Sequence, residues 1–168
     1  KNSPADLLTD HLKNVVRACL FIDTVSCSSD AASIQLFGAT GARKTGRYTV
    51  ARAPRPAKGA IDHGALKRLV RSLVPRGITG FVVCGSTGEA AALSEAEQVA
   101  VLRSVLEVSG GLHVVMGVSG VAPGALSSRI AQLREFPLAA FLVPPPYYVR
   151  PSQQGIADFY TAIADASA

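Results

Sequence analysis

The sequence predicts an α/β fold in which parallel strands alternate with helices, and three observations carry that expectation. From about Gly59 onward, short apolar runs recur (ITGFVVCG, HVVMGVSG, AAFLVPPP), continuous in the way that strands buried on both faces are. Longer segments with apolar residues at three- and four-residue spacing lie between them, the pattern of βαβ units. Each apolar run ends in a loop of Gly, Ser, Thr, Pro or Tyr. Those loops gather at the carboxyl ends of the strands, the face where α/β folds bind ligands.

Each element has its own signal. IDHGALKRLVRSLVPRG reads as a helix capped by Asp62, with Leu66, Leu69, Val70 and Leu73 on one face and Pro75 and Gly77 as its stop. LSEAEQVAVLRSVLEVSGG is a helix with a capping box, Ser94 with Glu97, stopped by Gly110-Gly111. APGALSSRIAQLREF places Pro123 in a first helical turn. PSQQGIADFYTAIADASA is the last helix, after strand AAFLVPPP has been ended by prolines that cannot continue a ladder.

Residues 1–58 do not join this rhythm. DLLTDHLKNVVRACLFI reads as a helix followed by a strand and SIQLF as a short strand, whereas GATGARKTGRYTVARAPRPAKG is turn-forming and basic, expected as linker or unstructured chain. The expected organisation is therefore residues 1–58 as an unassigned basic segment and residues 59–168 as the α/β unit.

At 168 residues the chain is long enough for one domain with a sizeable core, and its interior lacks tryptophan. Its net charge of +5 is unevenly spread: residues 1–76 hold 13 Lys and Arg against 5 Asp and Glu, residues 77–168 hold 4 against 7. Arg43, Lys44, Arg47, Arg52, Arg55 and Lys58 form an acid-free basic run. With Tyr48 as its lone aromatic, the run lacks the stacking ladder of a nucleic-acid binder and is expected to be a solvated connector. Cys19, Cys27 and Cys84 have no paired spacing, which fits a reducing cytoplasm, and Cys84 in its apolar strand is expected to act as a small hydrophobe. No apolar run reaches membrane-spanning length, and the opening residues lack the order of a signal peptide.

Several chemistries are weighed and set aside. GATGARKT has Arg43 where a phosphate-binding loop needs its second glycine. His11, His63 and His113 share no ligand spacing, so neither a metal nor another cofactor is expected. Glu95 and Glu97 suit a helix amino terminus better than acid/base work. What remains is three strand-end loops, Gly85-Ser86-Thr87-Gly88-Glu89, Gly117-Val118-Ser119-Gly120 and Pro144-Pro145-Pro146-Tyr147-Tyr148. Together they bring hydroxyls and a phenol to one rim, a set able to hold a small carboxylate and pass a proton.

The segments GSTGEAAALSEAEQ and PYYVRPSQQGIADFYTAIA, in this order, resemble the dihydrodipicolinate synthase and N-acetylneuraminate lyase family of pyruvate-dependent aldolases, from about Gly59 to Ala168. The resemblance implies about the first half of a (β/α)8 barrel and, in the intact family, a homo-oligomer. It implies a lysine that forms a Schiff base with pyruvate, which then adds to an aldehyde, aspartate semialdehyde in lysine biosynthesis; sugar-acid or sialic-acid aldolases are the alternative. By the match, Ser86 stands for the relay hydroxyl and Thr87 for the residue that binds the pyruvate carboxylate. Tyr148 stands for the tyrosine that reaches a neighbouring subunit's site, and Tyr147 for the aromatic beside it at that interface.

The chain also departs from the pattern. No lysine of the five stands at a matching strand end, and Val149 replaces an Asn frequent in the family. The apolar strand that should precede Gly59 is missing from TVARAPRPAKG, so the helix beginning IDHG has no strand before it. From these departures the residues before about 59 are expected to come from a frameshift or fusion, and the carboxyl end to be truncated. The chain as written is then expected to be an inactive, non-catalytic half-barrel with an unpaired strand edge.

Overall fold

The structure, a computed structural model, describes residues 19–20, 22–28, 31–37, 43–51, 54 and 59–167. The described strands are β1 (Cys19–Leu20), β2 (Ile22–Ser28), β3 (Ala31–Phe37), β4 (Arg43–Ala51), β5 (Gly80–Val83), β6 (His113–Gly117) and β7 (Ala140–Leu142). The helices are α1 (His63–Leu73), α2 (Glu95–Leu106), α3 (Pro123–Leu133) and α4 (Gln153–Ser167). The strands make one sheet in the order β1-β7-β6-β5-β4-β3-β2. Strands β4, β5, β6 and β7 are mutually parallel and in chain order, each joined to the next through a helix. That succession is the (β/α) repeat of a barrel wall.

Strand β4 corrects the reading of residues 38–59 as linker. Its second half, Tyr48 to Ala51, pairs in register with Gly80 to Val83 and supplies the strand before α1 that the sequence appeared to lack. The signal was hidden because the charges of β4, Arg43, Lys44 and Arg47, all lie in the half that pairs antiparallel with β3. Only the short YTVA stretch enters the parallel sheet.

The expected strand at SIQLF is found within β3. The helix expected over the first residues lies outside the described part of the chain. The two edges of the parallel unit are paired, β4 with β3 and β7 with β1, so the open edges expected of a half-barrel lie further out, at β1 and β2.

Both faces of the parallel strands are buried, as continuous apolar runs require. Phe81, Val83, Val114, Met116 and Phe141 pack toward the helices, against Leu66, Leu102, Ile130 and Ile163 among others. The alternate residues Tyr48, Val82, Val115 and Ala140 form a second cluster on the opposite face, with Val50 and Leu142 beside it. At the amino ends of the strands, Tyr48 lies against Gly80, where a Cβ would come within 2.7 Å of its ring. The Tyr48 hydroxyl reaches His113 Nδ1 at 3.3 Å, one strand further on.

The helix termini follow the sequence closely. Asp62 Oδ1 accepts from the Ala65 N–H at 2.7 Å. In the capping box of α2, the Glu97 N–H donates to Ser94 Oγ at 3.3 Å and the Ser94 N–H to Glu97 Oε2 at 2.8 Å. Leu66 and Val70 are fully buried, but Leu69 is 37% exposed because it sits at the edge of the apolar stripe of α1. Between α1 and α2, His63 Nδ1 and Ser104 Oγ are 2.8 Å apart. Among the described residues no helix is long and apolar enough to cross a membrane.

Candidate functional site

Where β5 ends, Cys84 turns left-handed with φ +57° and Gly85 is extended. Ser86-Thr87-Gly88 then form one 3₁₀ turn. The Gly88 N–H donates to Gly85 O at 2.9 Å and the Glu89 N–H to Ser86 O at 3.0 Å. Glu89 is left-handed too, again with φ +57°. Two non-glycine residues in this sparsely populated region bracket the hydroxyl turn, each at a cost of about 1 kcal/mol or more that the surroundings must offset.

Those surroundings are tight. Gly88 is buried against the end of β4, with Val50 Cγ1 3.3 Å from where its Cβ would stand. At Gly117, the last residue of β6, a Cβ would come within 2.1 Å of Cys84 O. A bare backbone at position 117 therefore lets β6 close onto the bend that aims the turn.

The ends of β5, β6 and β7 enclose a cavity of about 250 Å³, near the lower size for a small-molecule site. Cys84, Gly85 and Ser86 line it from β5, Gly117 and Ser119 from β6, and Leu142 to Pro145 from β7, with Tyr160 of α4 closing one side. Tyr160 donates its hydroxyl hydrogen to Val143 O at 3.1 Å and its ring meets Phe159 edge-on. Burial pushes the Cys84 thiol up to about 12, with Arg129 opposing the shift, so the thiol stays protonated at neutral pH and is a poor nucleophile.

The predicted site residues divide into two groups. Ser86 lines the cavity, and Thr87 is exposed on the same turn but outside the lining. Tyr147 and Tyr148 are 71% and 90% exposed and do not reach the cavity, because the proline run carries the chain away from the end of β7. The phenol that lines the cavity is Tyr160. Sequence reasoning passed over it although a tyrosine on the apolar face of a helix calls for a hydrogen-bond partner. Ser119, quoted only as part of a loop, faces the same space as Ser86. Among the described residues no group of three or more His, Cys, Asp or Glu is placed to hold a metal ion.

Comparison with known proteins matches residues 44–168 to the dihydrodipicolinate synthetase family, so the match begins within β4 and upstream of Gly59. The 4-hydroxy-tetrahydrodipicolinate synthase of Stenotrophomonas maltophilia (strain K279a) is 40% identical over 124 residues, 72% of this chain and 41% of that protein. The enzyme of the same name from Anaeromyxobacter sp. (strain Fw109-5) is 37% identical over 110 residues, 65% of this chain and 37% of that protein. Among solved structures, a dihydrodipicolinate synthase from Bacillus anthracis superposes with a TM-score of 0.66 at 32% identity, over 72% of this chain and 42% of that one. The enzyme from Cyanidioschyzon merolae, solved with lysine bound, gives 0.66 at 29% identity over 73% and 42%. The chain thus spans about two-fifths of the length of the relatives it matches. With four parallel strands in chain order and the hydroxyl turn at the end of the second, it belongs to the dihydrodipicolinate synthetase family and has a partial (β/α)8 barrel fold.

Proposed function

We propose that these residues are the keto-acid-holding side of a pyruvate-dependent synthase of the dihydrodipicolinate type. The observation that carries this reading is the hydroxyl turn itself: in a chain of this family, Ser86 opens onto a cavity at the strand ends and Thr87 stands beside it. In the complete enzyme a lysine amine would add to the pyruvate ketone and release water as the imine forms. The resulting carbon nucleophile would then join an aldehyde, aspartate semialdehyde in this reading. Thr87 would hold the pyruvate carboxylate by its hydroxyl, and Ser86 would pass a proton between substrate and solvent. The high exposure of Tyr148 and Tyr147, with Val149 55% exposed beside them, supports their assignment to contact with a second copy, Tyr148 reaching that copy's site.

Among the described residues no lysine stands at the carboxyl end of a parallel strand, where the imine would form. Lys44 lies near the start of β4, in the half paired with β3. Lys67 stands on α1 and pairs with Glu107 at 2.5 Å. Lys1, Lys13 and Lys58 lie outside the described residues. In this reading the described residues hold the keto acid, and the imine lysine belongs to the rest of the complete enzyme.

Incubation with pyruvate and borohydride, followed by mass spectrometry, should leave every lysine unmodified. In parallel, titration of the labelled chain with pyruvate should shift the amide resonances of Gly85 to Gly88. A covalent adduct on any lysine, or amide shifts confined to residues away from this turn, would overturn the assignment.

A further inference from the structure

The hydroxyl turn is anchored at its strand end by the Cys84–Gly117 contact. The other end is held by a side chain to which neither the sequence motif nor the reading above gives a task. A second 3₁₀ turn, Ala90 to Ala92, follows Glu89. Its bonds continue those of the first: the Ala92 N–H donates to Glu89 O at 2.9 Å and the Leu93 N–H to Ala90 O at 3.1 Å. A run of short backbone bonds therefore links Gly85 to Leu93, with the strained Glu89 in its middle.

Gln98, on the second turn of α2, reaches back over this run. Its Nε2 donates to Ala90 O at 3.3 Å and to Leu93 O at 3.4 Å, the carbonyls at the two ends of the second turn. The helix it reaches from is itself fixed, because Arg129 of α3 donates to Glu95 O at 3.2 Å and lies 3.6 Å from the Glu95 carboxylate.

We infer that Gln98 is a positioning residue for the Ser86-Thr87 turn: its amide closes the second 3₁₀ turn, and so keeps the left-handed Glu89 from relaxing and the hydroxyls from turning away. A left-handed non-glycine residue persists only where neighbours over-determine it. Releasing the carbonyls of Ala90 and Leu93 from the amide leaves only the backbone bonds of the second turn to restrain Glu89 on the side that faces away from the strand. The inference rests on the reading of the turn as the pyruvate-carboxylate site, although its structural half can be measured without that reading.

The test uses the full 168-residue chain with Gln98→Met, which keeps the bulk and the helix preference but has no donor, and Gln98→Glu, which sets a carboxylate against the two carbonyls. Amide hydrogen exchange at Glu89, Ala92 and Leu93 should speed up about tenfold in both, as expected for two lost neutral hydrogen bonds. Exchange at Val101, Leu102 and Val105 within α2 should not change. The pyruvate dissociation constant, read from the Ser86 and Thr87 amides, should rise by about the same factor.

Unchanged exchange at Ala92 and Leu93 with unchanged pyruvate affinity would overturn the positioning role and leave the keto-acid reading standing. Local exchange that rises in a chain binding no pyruvate even with Gln98 in place would support the positioning role and remove the keto-acid reading. An equal rise throughout α2 would mean that Gln98 merely supports the helix, and would also overturn the inference.

Discussion

Replacing Gly117 by alanine tests the packing that aims the site. The added Cβ would stand 2.1 Å from Cys84 O, 2.7 Å from Cys84 C and 3.1 Å from Gly85 N. Ordinary contacts of this kind need more than 3 Å, so β6 and the Cys84–Gly85 peptide must separate by roughly 1 Å. No side chain can swing aside, since every atom met is backbone, and Cys84 already occupies a left-handed conformation. Overpacked cores with flexible neighbours lose about 1–3 kcal/mol, and this site belongs at or above the upper end, about 3 kcal/mol. With a urea slope of about 1–3 kcal/mol per molar, the midpoint should fall by about 1–3 M at unchanged slope.

The same substitution at Gly124 is the control. Gly124 lies within α3 with open space where its Cβ would stand. In this first turn alanine should be neutral or stabilise by less than the roughly 1 kcal/mol that separates it from glycine in a helix interior. If Gly117→Ala unfolded within 0.5 kcal/mol of the parent, the close approach would not be fixing the bend, and the account of how β5 delivers Ser86 would be wrong.

Two further outcomes follow from groups lining the cavity. The Cys84 thiol ionises at about 12 in the folded chain against 9.0 for an unperturbed thiol, so between these values the folded state holds the extra proton. Stability from this group is complete below pH 9 and falls as pH rises toward 12, by up to about 1.4 kcal/mol per unit. Burial also raises the Tyr48 phenol, which acts with the same sign from pH 10 upward, so urea midpoints at pH 8 and 9.5, compared between the parent and the Cys84 variant, read this thiol. Cys84→Ala should flatten the difference between those two midpoints, and an unaltered difference would refute the assignment. Tyr160→Phe keeps the ring but leaves Val143 O without its 3.1 Å donor. It should cost about 1 kcal/mol in urea unfolding and speed exchange in the loop that follows Val143, whereas a neutral change would show that water satisfies the carbonyl equally well.

Much of the fold was legible because two periods alternate cleanly after Gly59. Continuous apolar runs gave β5 to β7, and three- and four-residue spacing with Asp62, Ser94 and Pro123 at the starts gave α1 to α3. Strand β4 was not legible, since its apolar stretch is four residues long and its other half carries three cations. Only pairing shows which half belongs to which neighbour. The position of the hydroxyl turn could be read from Gly-Ser-Thr-Gly at a strand end, but its strain could not. Neither cysteine nor glutamate favours a positive φ, so nothing local marks Cys84 and Glu89 as left-handed.

That strain joins the separate packing details into one argument about the site. A turn bracketed by two unfavourable residues relaxes more readily as each flank is loosened, and the two flanks are held by different means. On the strand side a missing Cβ at Gly117 brings β6 onto the Cys84 carbonyl. On the helix side the Gln98 amide bonds two carbonyls of the following turn. Neither residue carries a group that would react with a keto acid; in the proposed function both act only through the placement of Ser86 and Thr87. Loosening both flanks at once should therefore cost more pyruvate affinity than the two single changes predict together, since either flank alone still resists the same relaxation of Glu89. Strict additivity of Gly117→Ala and Gln98→Met would mean that the flanks hold the turn independently, and that the strain at its two ends is not shared.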